Sequence, residues 1–223
     1  MKGKIILITG ANRGIGKETT RALAKKGATI IMACRNLEKA EPVREMIQTE
    51  SKNPNIEVMK LDLASLKSVR NFTQEFKARY QQLNVLINNA GVFCMKREET
   101  EEGFELTTVF FTQELAERLK EKDITVNSLH PGHVDTNMWD LWGPEKKWYQ
   151  SIINGMIKLF LISAEEGAQT SIYLASSNEV KGITGKYFAK KRIKAASKKC
   201  SDIKLQNELW QLSERLTGII YSR

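Results

Sequence analysis

A chain of 223 residues supports one domain, or one domain with a small appendage, and 41% hydrophobic residues keep it well clear of disorder. The net charge of +9 is shared by both halves, and no zinc-finger, RNP or helix-turn-helix signature accompanies it, so nucleic acid is not an expected partner. Cys34, Cys94 and Cys200 have neither disulfide nor metal spacing, which suits a reducing compartment.

The opening MKGKIILITG runs directly into a strand pattern and is too short for a signal peptide or a membrane anchor. A cytoplasmic protein, or one peripheral on an intracellular membrane, is expected. Lys4 to Thr9 reads as a strand and Gly14 to Lys26 as a helix, with Ile15, Thr19, Ala22 and Leu23 at helical spacing and Gly27 as its stop. A strand comes next at 28–34, then a helix at 37–50 with Pro42 placed in its first turn. Residues 56–62 form the next strand. The helix at 65–80 has an apolar face of Leu66, Val69, Phe72 and Phe76, and NVLIN at 84–88 is a fourth strand. Short β-branched strands alternating with helices predict a parallel sheet covered on both faces, joined by right-handed crossovers.

Beyond Gly91 the rhythm changes. Residues 92–100 are an irregular link, and 101–121 are one helix with an apolar stripe of Phe104, Phe111, Leu115 and Leu119. ITVNSLH at 124–130 is a strand closed by Pro131-Gly132. An irregular segment with Trp139, Trp142, Trp148 and Tyr149 leads into the apolar run 152–162. A helix at 164–177, a strand near 185–189 and a helical pattern at 202–219 complete the chain. Seven basic residues and no acid lie between Lys186 and Lys199, either a solvated face or an attraction for anionic lipid or cofactor phosphate.

The sharpest motif is TGANRGIG, Thr9 to Gly16, which succeeds a strand and opens a helix. Gly10 permits the tight turn, Gly14 lets backbone approach a pyrophosphate, and Gly16 lets helix and strand pack closely. Unpaired N–H groups at the helix start face the negative charge. A dinucleotide is therefore expected here, with a purely structural glycine turn as the alternative. The second strand ends Ala33-Cys34-Arg35-Asn36, with no carboxylate to hold a ribose hydroxyl. Arg35 suits a 2′-phosphate and Arg13 offers a second cation, so NADP(H) is the expected cofactor. Asp62 in LDL is a candidate for the adenine or a helix cap. Asn88-Asn89-Ala90-Gly91 leaves room for backbone beside the cofactor, or else Asn88 ties neighbouring loops.

With TGANRGIG, ACR, LDL, NNAG and HPGHVDT in order, the sequence resembles the short-chain dehydrogenase/reductase family. The forms TGANxGIGKET, ACRNxEK, LINNAGV and SLHPGxVxT make it most similar to the retinol dehydrogenase-like branch. The resemblance implies a three-layer α/β Rossmann-like fold and hydride transfer between NADP(H) and an apolar alcohol or carbonyl such as retinol or retinal. It implies cofactor contacts at Gly10, Asn12, Arg13, Gly14, Ile15, Gly16, Arg35, Asp62, Leu63, Asn88, Ala90 and Gly91. It adds Pro131 and Gly132 beside the nicotinamide, and Val134 and Thr136 near its carboxamide. Residues 1–223 would form a single domain, with 133–163 an irregular substrate lid. Implied partners are a small apolar alcohol or aldehyde, another copy or a family member as a dimer, and a peripheral membrane contact.

The family's chemistry needs a Ser and a Tyr-x-x-x-Lys, the lysine lowering the pKa of a tyrosine that is otherwise near 10. None can be located here, so no catalytic residue is assigned. Thr107 and Thr108 meet Val109 where the start of one family helix joins the end of the next but one. From Ala90 to Ile124 is 34 residues, which fits one βαβ crossover of about 30, whereas two would need about 60. A central strand and its flanking helix segments are therefore expected to be missing, and 124–130 is a candidate to pair directly with 84–88. Tyr187 and Lys191 carry the right spacing in or just after a strand; Ser128 lacks a tyrosine, and His130 with His133 is too small a set for a metal. The chain reads as a shortened family member that binds cofactor with impaired catalysis. A non-catalytic cofactor- or partner-binding protein, or a non-functional truncated form, is the alternative.

Overall fold

The computed structural model describes residues 1–91, 104–134, 161–195 and 202–221, for 104–108 and 110 the backbone only. In chain order the elements are β1 (Ile5–Thr9), α1 (Gly14–Lys25), β2 (Thr29–Cys34), α2 (Leu37–Ser51), β3 (Ile56–Lys60), α3 (Leu66–Arg79) and β4 (Val85–Ile87). Then come α4 (Phe104–Arg118), β5 (Ser128–His130), α5 (Ala164–Ser176), β6 (Tyr187–Ala189), β7 (Arg192–Lys194) and α6 (Ile203–Thr217). Contacts group them into two compact units, Met1–Met95 with Gly132–Ser176, and Lys96–Pro131 with Ser177–Arg223.

The first unit holds a parallel sheet in the order β3-β2-β1-β4. Successive strand residues point to opposite faces, and both faces are apolar. Ile6, Ile8, Ile30 and Met32 face a core shared with Leu23, Ala24, Ala40 and Ile47, which brings α1 and α2 onto one side. Ile172 and Ala175 of α5 pack against the same core. Leu7, Ile31, Ala33 and Met59 face the other side, against Phe72 and Phe76 of α3. Two helical layers thus enclose the sheet. Side chains close the helix starts: Asn36 accepts from the Lys39 N–H at 2.9 Å, and Ser65 from the Ser68 N–H at 3.2 Å. Buried Asn53 donates to the carbonyls of Ala24 and Ala28 at 2.9 and 2.8 Å, fixing the end of α1.

The second unit holds a three-stranded sheet, β5-β6-β7, with β5 parallel and β7 antiparallel to β6. Helix α4 packs against α6. Phe111 stacks on Trp210 with centroids 5.1 Å apart, and the Arg118 guanidinium lies 4.4 Å above the Trp210 ring while bonded to Glu114 at 2.7 Å.

Several expectations need correction. Ser128–His130 pairs with β6, and the four-stranded sheet ends at β4, so 124–130 does not pair with 84–88. Both strands are shorter than their apolar runs, three residues each. Pro42 is the sixth residue of α2, beyond the first turn, and the helix continues through it. Among the described side chains of α4, Val109, Thr112, Glu114 and Ala116 are buried, as is Leu119 just beyond its end, while Phe111 is 39% exposed. Of the expected stripe Leu119 is buried and Phe111 is not, and the polar Thr112 and Glu114 are buried as well, which hydrophobicity alone misses. The helix also stops at Arg118, succeeded by a 3-10 turn at Lys120–Lys122. Strand β7 was not foreseen: Lys190 and Lys191, with φ of 51° and 60°, make the tight turn of a β6–β7 hairpin without the usual Asn-Gly.

Candidate cofactor site

The glycine turn joins β1 to α1 at the C-terminal edge of the first sheet, where ligands of open α/β sheets bind. Gly10 and Gly14 adopt φ of +64° and +52°, which a side chain would strain. A Cβ on Gly16 would lie 2.5 Å from Asn89 Nδ2 and still closer to the Gly10 carbonyl oxygen. The expected reason for Gly16, close approach of helix to turn, holds. At the start of α1 the N-cap is Arg13, whose side chain makes no cap, and the first turn carries no acid. The first N–H groups of α1 thus have no capping side chain and no competing carboxylate, the condition for receiving a phosphate.

What anchors the turn was missed in the sequence. Asn89, not Asn88, is the tie: its Nδ2 donates to the carbonyls of Thr9 and Gly10 at 2.9 and 3.3 Å. The Thr9 hydroxyl accepts from the N–H groups of Asn89 and Ala90 at 3.0 and 2.9 Å. These bonds lock the β4 end against the β1 end. Asn88 and Ala90 are left exposed on the same segment, and nothing would meet a Cβ at Gly91. The buried Cys34 sulfur accepts from the N–H groups of Ala11 and Asn12; burial pushes its thiol pKa up, and those two N–H groups oppose the shift. This shapes the turn from below and makes Cys34 a packing residue.

Arg35 comes directly after the last residue of β2 and is exposed. It lines an open surface hollow of about 380 Å³ with Asn36, Leu37, Glu38 and Lys60. The Asp62 carboxylate accepts from the Ala64 N–H at 3.0 Å, a local turn that precedes α3, while Ser65 is that helix's cap. Leu63 beside it is 53% exposed. Val134 is 4% exposed; it bridges to Ile162 and approaches α5 at Gly167, where a Cβ would lie 2.5 Å from Val134 Cγ2. A contact from Val134 to a ligand would use its backbone. Gly132 has φ of +94°, and Pro131 precedes it. Thr136, the three tryptophans of the expected lid and most of 152–162 lie outside the described residues, as do Cys94 and Cys200.

Tyr187, Lys191 and Ser128 all lie in the second unit. Tyr187 lies on β6 and Lys191 in the hairpin turn, so the Tyr-x-x-x-Lys spacing is not on a helix. Ser128 is 5% exposed with its hydroxyl unpartnered. The basic residues Lys186 to Lys194 sit on the β6–β7 hairpin and its approach. Among the described residues no helix is long and apolar enough to cross a membrane.

Comparison with known proteins places this geometry. The short chain dehydrogenase model matches residues 4–109, and the enoyl-(acyl carrier protein) reductase model matches 106–189, so the two meet within α4. Mouse retinol dehydrogenase 13 is 31% identical, the match covering 97% of this chain and 84% of that protein. Human retinol dehydrogenase 14 is 33% identical over 99% of this chain and 88% of its own. The mouse match spans 282 aligned residues, yet 97% of 223 is about 216, so about 66 aligned positions of that relative have no counterpart here. L-sorbose reductase from Gluconobacter frateurii, solved with NADPH and L-sorbose, superposes with a TM-score of 0.70 at 17% identity, covering 85% of this chain and 95% of that one. A Mycobacterium paratuberculosis protein superposes at 0.74 with 23% identity, covering 100% and 96%. These two structures share the fold, and the sequence relatives carry the assignment: this chain belongs to the short-chain dehydrogenase/reductase family of oxidoreductases, which use nicotinamide cofactors, in its retinol dehydrogenase-like branch.

Proposed function

We propose that this chain binds NADP(H) through the β1–α1 turn but lacks the proton-handling groups for hydride transfer at the rates of complete family members. The observation that carries the binding half is the α1 N-terminus: two glycines at positive φ, a third packed against Asn89, no side-chain cap and no first-turn acid. Arg35 in place of a carboxylate after β2 favours the phosphorylated cofactor. The bound nicotinamide would supply or accept the hydride. Gly10, Asn12, Arg13, Gly14, Ile15 and Gly16 would hold the pyrophosphate. Arg35, Asp62 and Leu63 would receive the adenosine half, and Asn88, Ala90, Gly91, Pro131, Gly132, Val134 and Thr136 the remainder.

The catalytic half rests on the junction within α4. Two family models meet at 106–109, and about 66 aligned positions of a relative are unmatched. A missing internal segment would remove the strand ending in the catalytic Ser and the helix start bearing Tyr-x-x-x-Lys. Without a lysine to lower it, a tyrosine pKa near 10 is a poor match for proton transfer at neutral pH. The substrate class of a complete enzyme would be an apolar alcohol or carbonyl of the retinol kind. A regulatory role, as a cofactor-binding partner of related chains, is the second reading, favoured by the same junction. The test is a titration with NADPH and NADH, run with a retinal reductase assay on the same preparation. NADPH-selective binding without turnover is expected. Turnover at the rate of a complete relative overturns the catalytic half, and no binding of either nucleotide overturns the other.

A further inference from the structure

We infer that Lys60, with Arg35, reads the 2′-phosphate of the cofactor, so that the end of β3 as well as the end of β2 sets nucleotide preference. This rests on the NADP(H) reading above. Cys34 and Lys60 are register partners on adjacent parallel strands, and Arg35 is next in the chain after Cys34. Lys60 is the last residue of β3 and Arg35 follows the last residue of β2, which places both cations at the C-terminal edge of the sheet, where open α/β sheets take ligands. Both line the same open hollow, with Asn36, Leu37 and Glu38.

Three other arginines of this unit pair with carboxylates: Arg21 with Glu18 and Glu50, Arg44 with Glu41, and Arg79 with Glu75. Among the described residues neither Arg35 nor Lys60 has an ion pair. The Asn36 Oδ1 accepts from the Lys39 N–H, which fixes that side chain at the start of α2. A phosphomonoester carries about two negative charges near neutral pH, which a forked guanidinium and a mobile ammonium match together. Glu38 is the opposing charge in the hollow, and it limits affinity rather than creating it.

The experiment uses the full chain and two probes that carry no nicotinamide, 2′,5′-ADP and 5′-AMP, with binding read by calorimetry. Lys60→Gln weakens 2′,5′-ADP binding by about tenfold, the worth of one charge-assisted contact, and leaves 5′-AMP within about twofold. Lys60→Arg keeps the preference, and Glu38→Gln tightens 2′,5′-ADP without changing 5′-AMP. Unchanged 2′,5′-ADP affinity in Lys60→Gln, with the wild type still preferring it, overturns the inference and leaves Arg35 as the sole reader. Equal loss of both probes overturns it too, because Lys60 then only supports the strand. A wild type that does not distinguish the probes defeats the NADP(H) reading itself.

Discussion

Strand β2 has six residues, five of them buried, between parallel neighbours that each pair with it over five positions. Strand β6, the middle strand of the second sheet, has three residues and buries one, Phe188. The first unit has apolar clusters on both faces of its sheet. The second relies on a few large side chains, Phe188 and Trp210 among them, and its α6 end leaves Leu216 and Ile220 at 70% and 87% exposure. The βαβ array before residue 91, with α5 packed on the same core, covers that sheet on both faces. The second unit has less apolar area to bury, and stability scales with that area. The first unit thus spreads its burial over a whole sheet, and the second concentrates it on a few side chains.

The strongest way to break this contrast is to remove an anchor. Phe188 is 2% exposed, and Phe188→Ala should cost about 3–5 kcal/mol, as buried Phe truncations do. Amide hydrogen exchange should then rise across α4, β5–β7 and α6 while β1–β3 keep their protection. Loss of protection in both units together would show one cooperative body in place of two uneven ones. A smaller effect, confined to the first unit, is expected for Gly16→Ala. The added methyl must displace the Gly10 carbonyl or Asn89, costing about 1–3 kcal/mol by overpacking. NADPH at a hundred times its dissociation constant should add about 2.7 kcal/mol to the wild type; the variant should gain none, checked by thermal shift. A variant that still gains would separate the turn's packing from its ligand role.

The first unit was legible because its signals are local. A six-residue apolar run, a glycine triplet and helices with clear periodicity each specify their own element. Asn89 was not legible, because NNAG offers two asparagines and only the β1–β4 pairing decides which one faces Thr9. In the second unit the signals were local but misleading. The apolar run 124–130 is longer than its ladder, since a strand extends only as far as its neighbour pairs with it. The buried side of α4 is set by the α4–α6 contact, which places Trp210 and Arg118 together. The Lys190-Lys191 turn contradicts turn chemistry and is held by the hairpin's own pairing. The spacing Tyr-x-x-x-Lys occurs once in the sequence, at Tyr187 with Lys191, and falls on β6 and the hairpin turn, where no helix pattern runs.

The smallest expected effect tests whether the second unit's anchors include charge. Glu214 accepts from the Tyr221 N–H at 2.9 Å and from the Trp210 indole at 2.8 Å, and these bonds, aided by Arg118, hold its carboxyl below the usual range. A depressed folded-state pKa contributes stability that is present above the unfolded value and is lost as pH falls through the folded one. Urea unfolding of the wild type and Glu214→Gln should therefore differ at neutral pH, and the gap should close on acidification from the ordinary carboxyl range downward. The site is solvent-facing, so the gap should also shrink in salt. A gap that persists in acid would assign the tie to the stacked rings of Phe111 and Trp210 and the edge contact of Tyr221 instead. The end of α6 would then be held by its ring contacts, and the contrast between the units would be one of the amount of apolar surface buried.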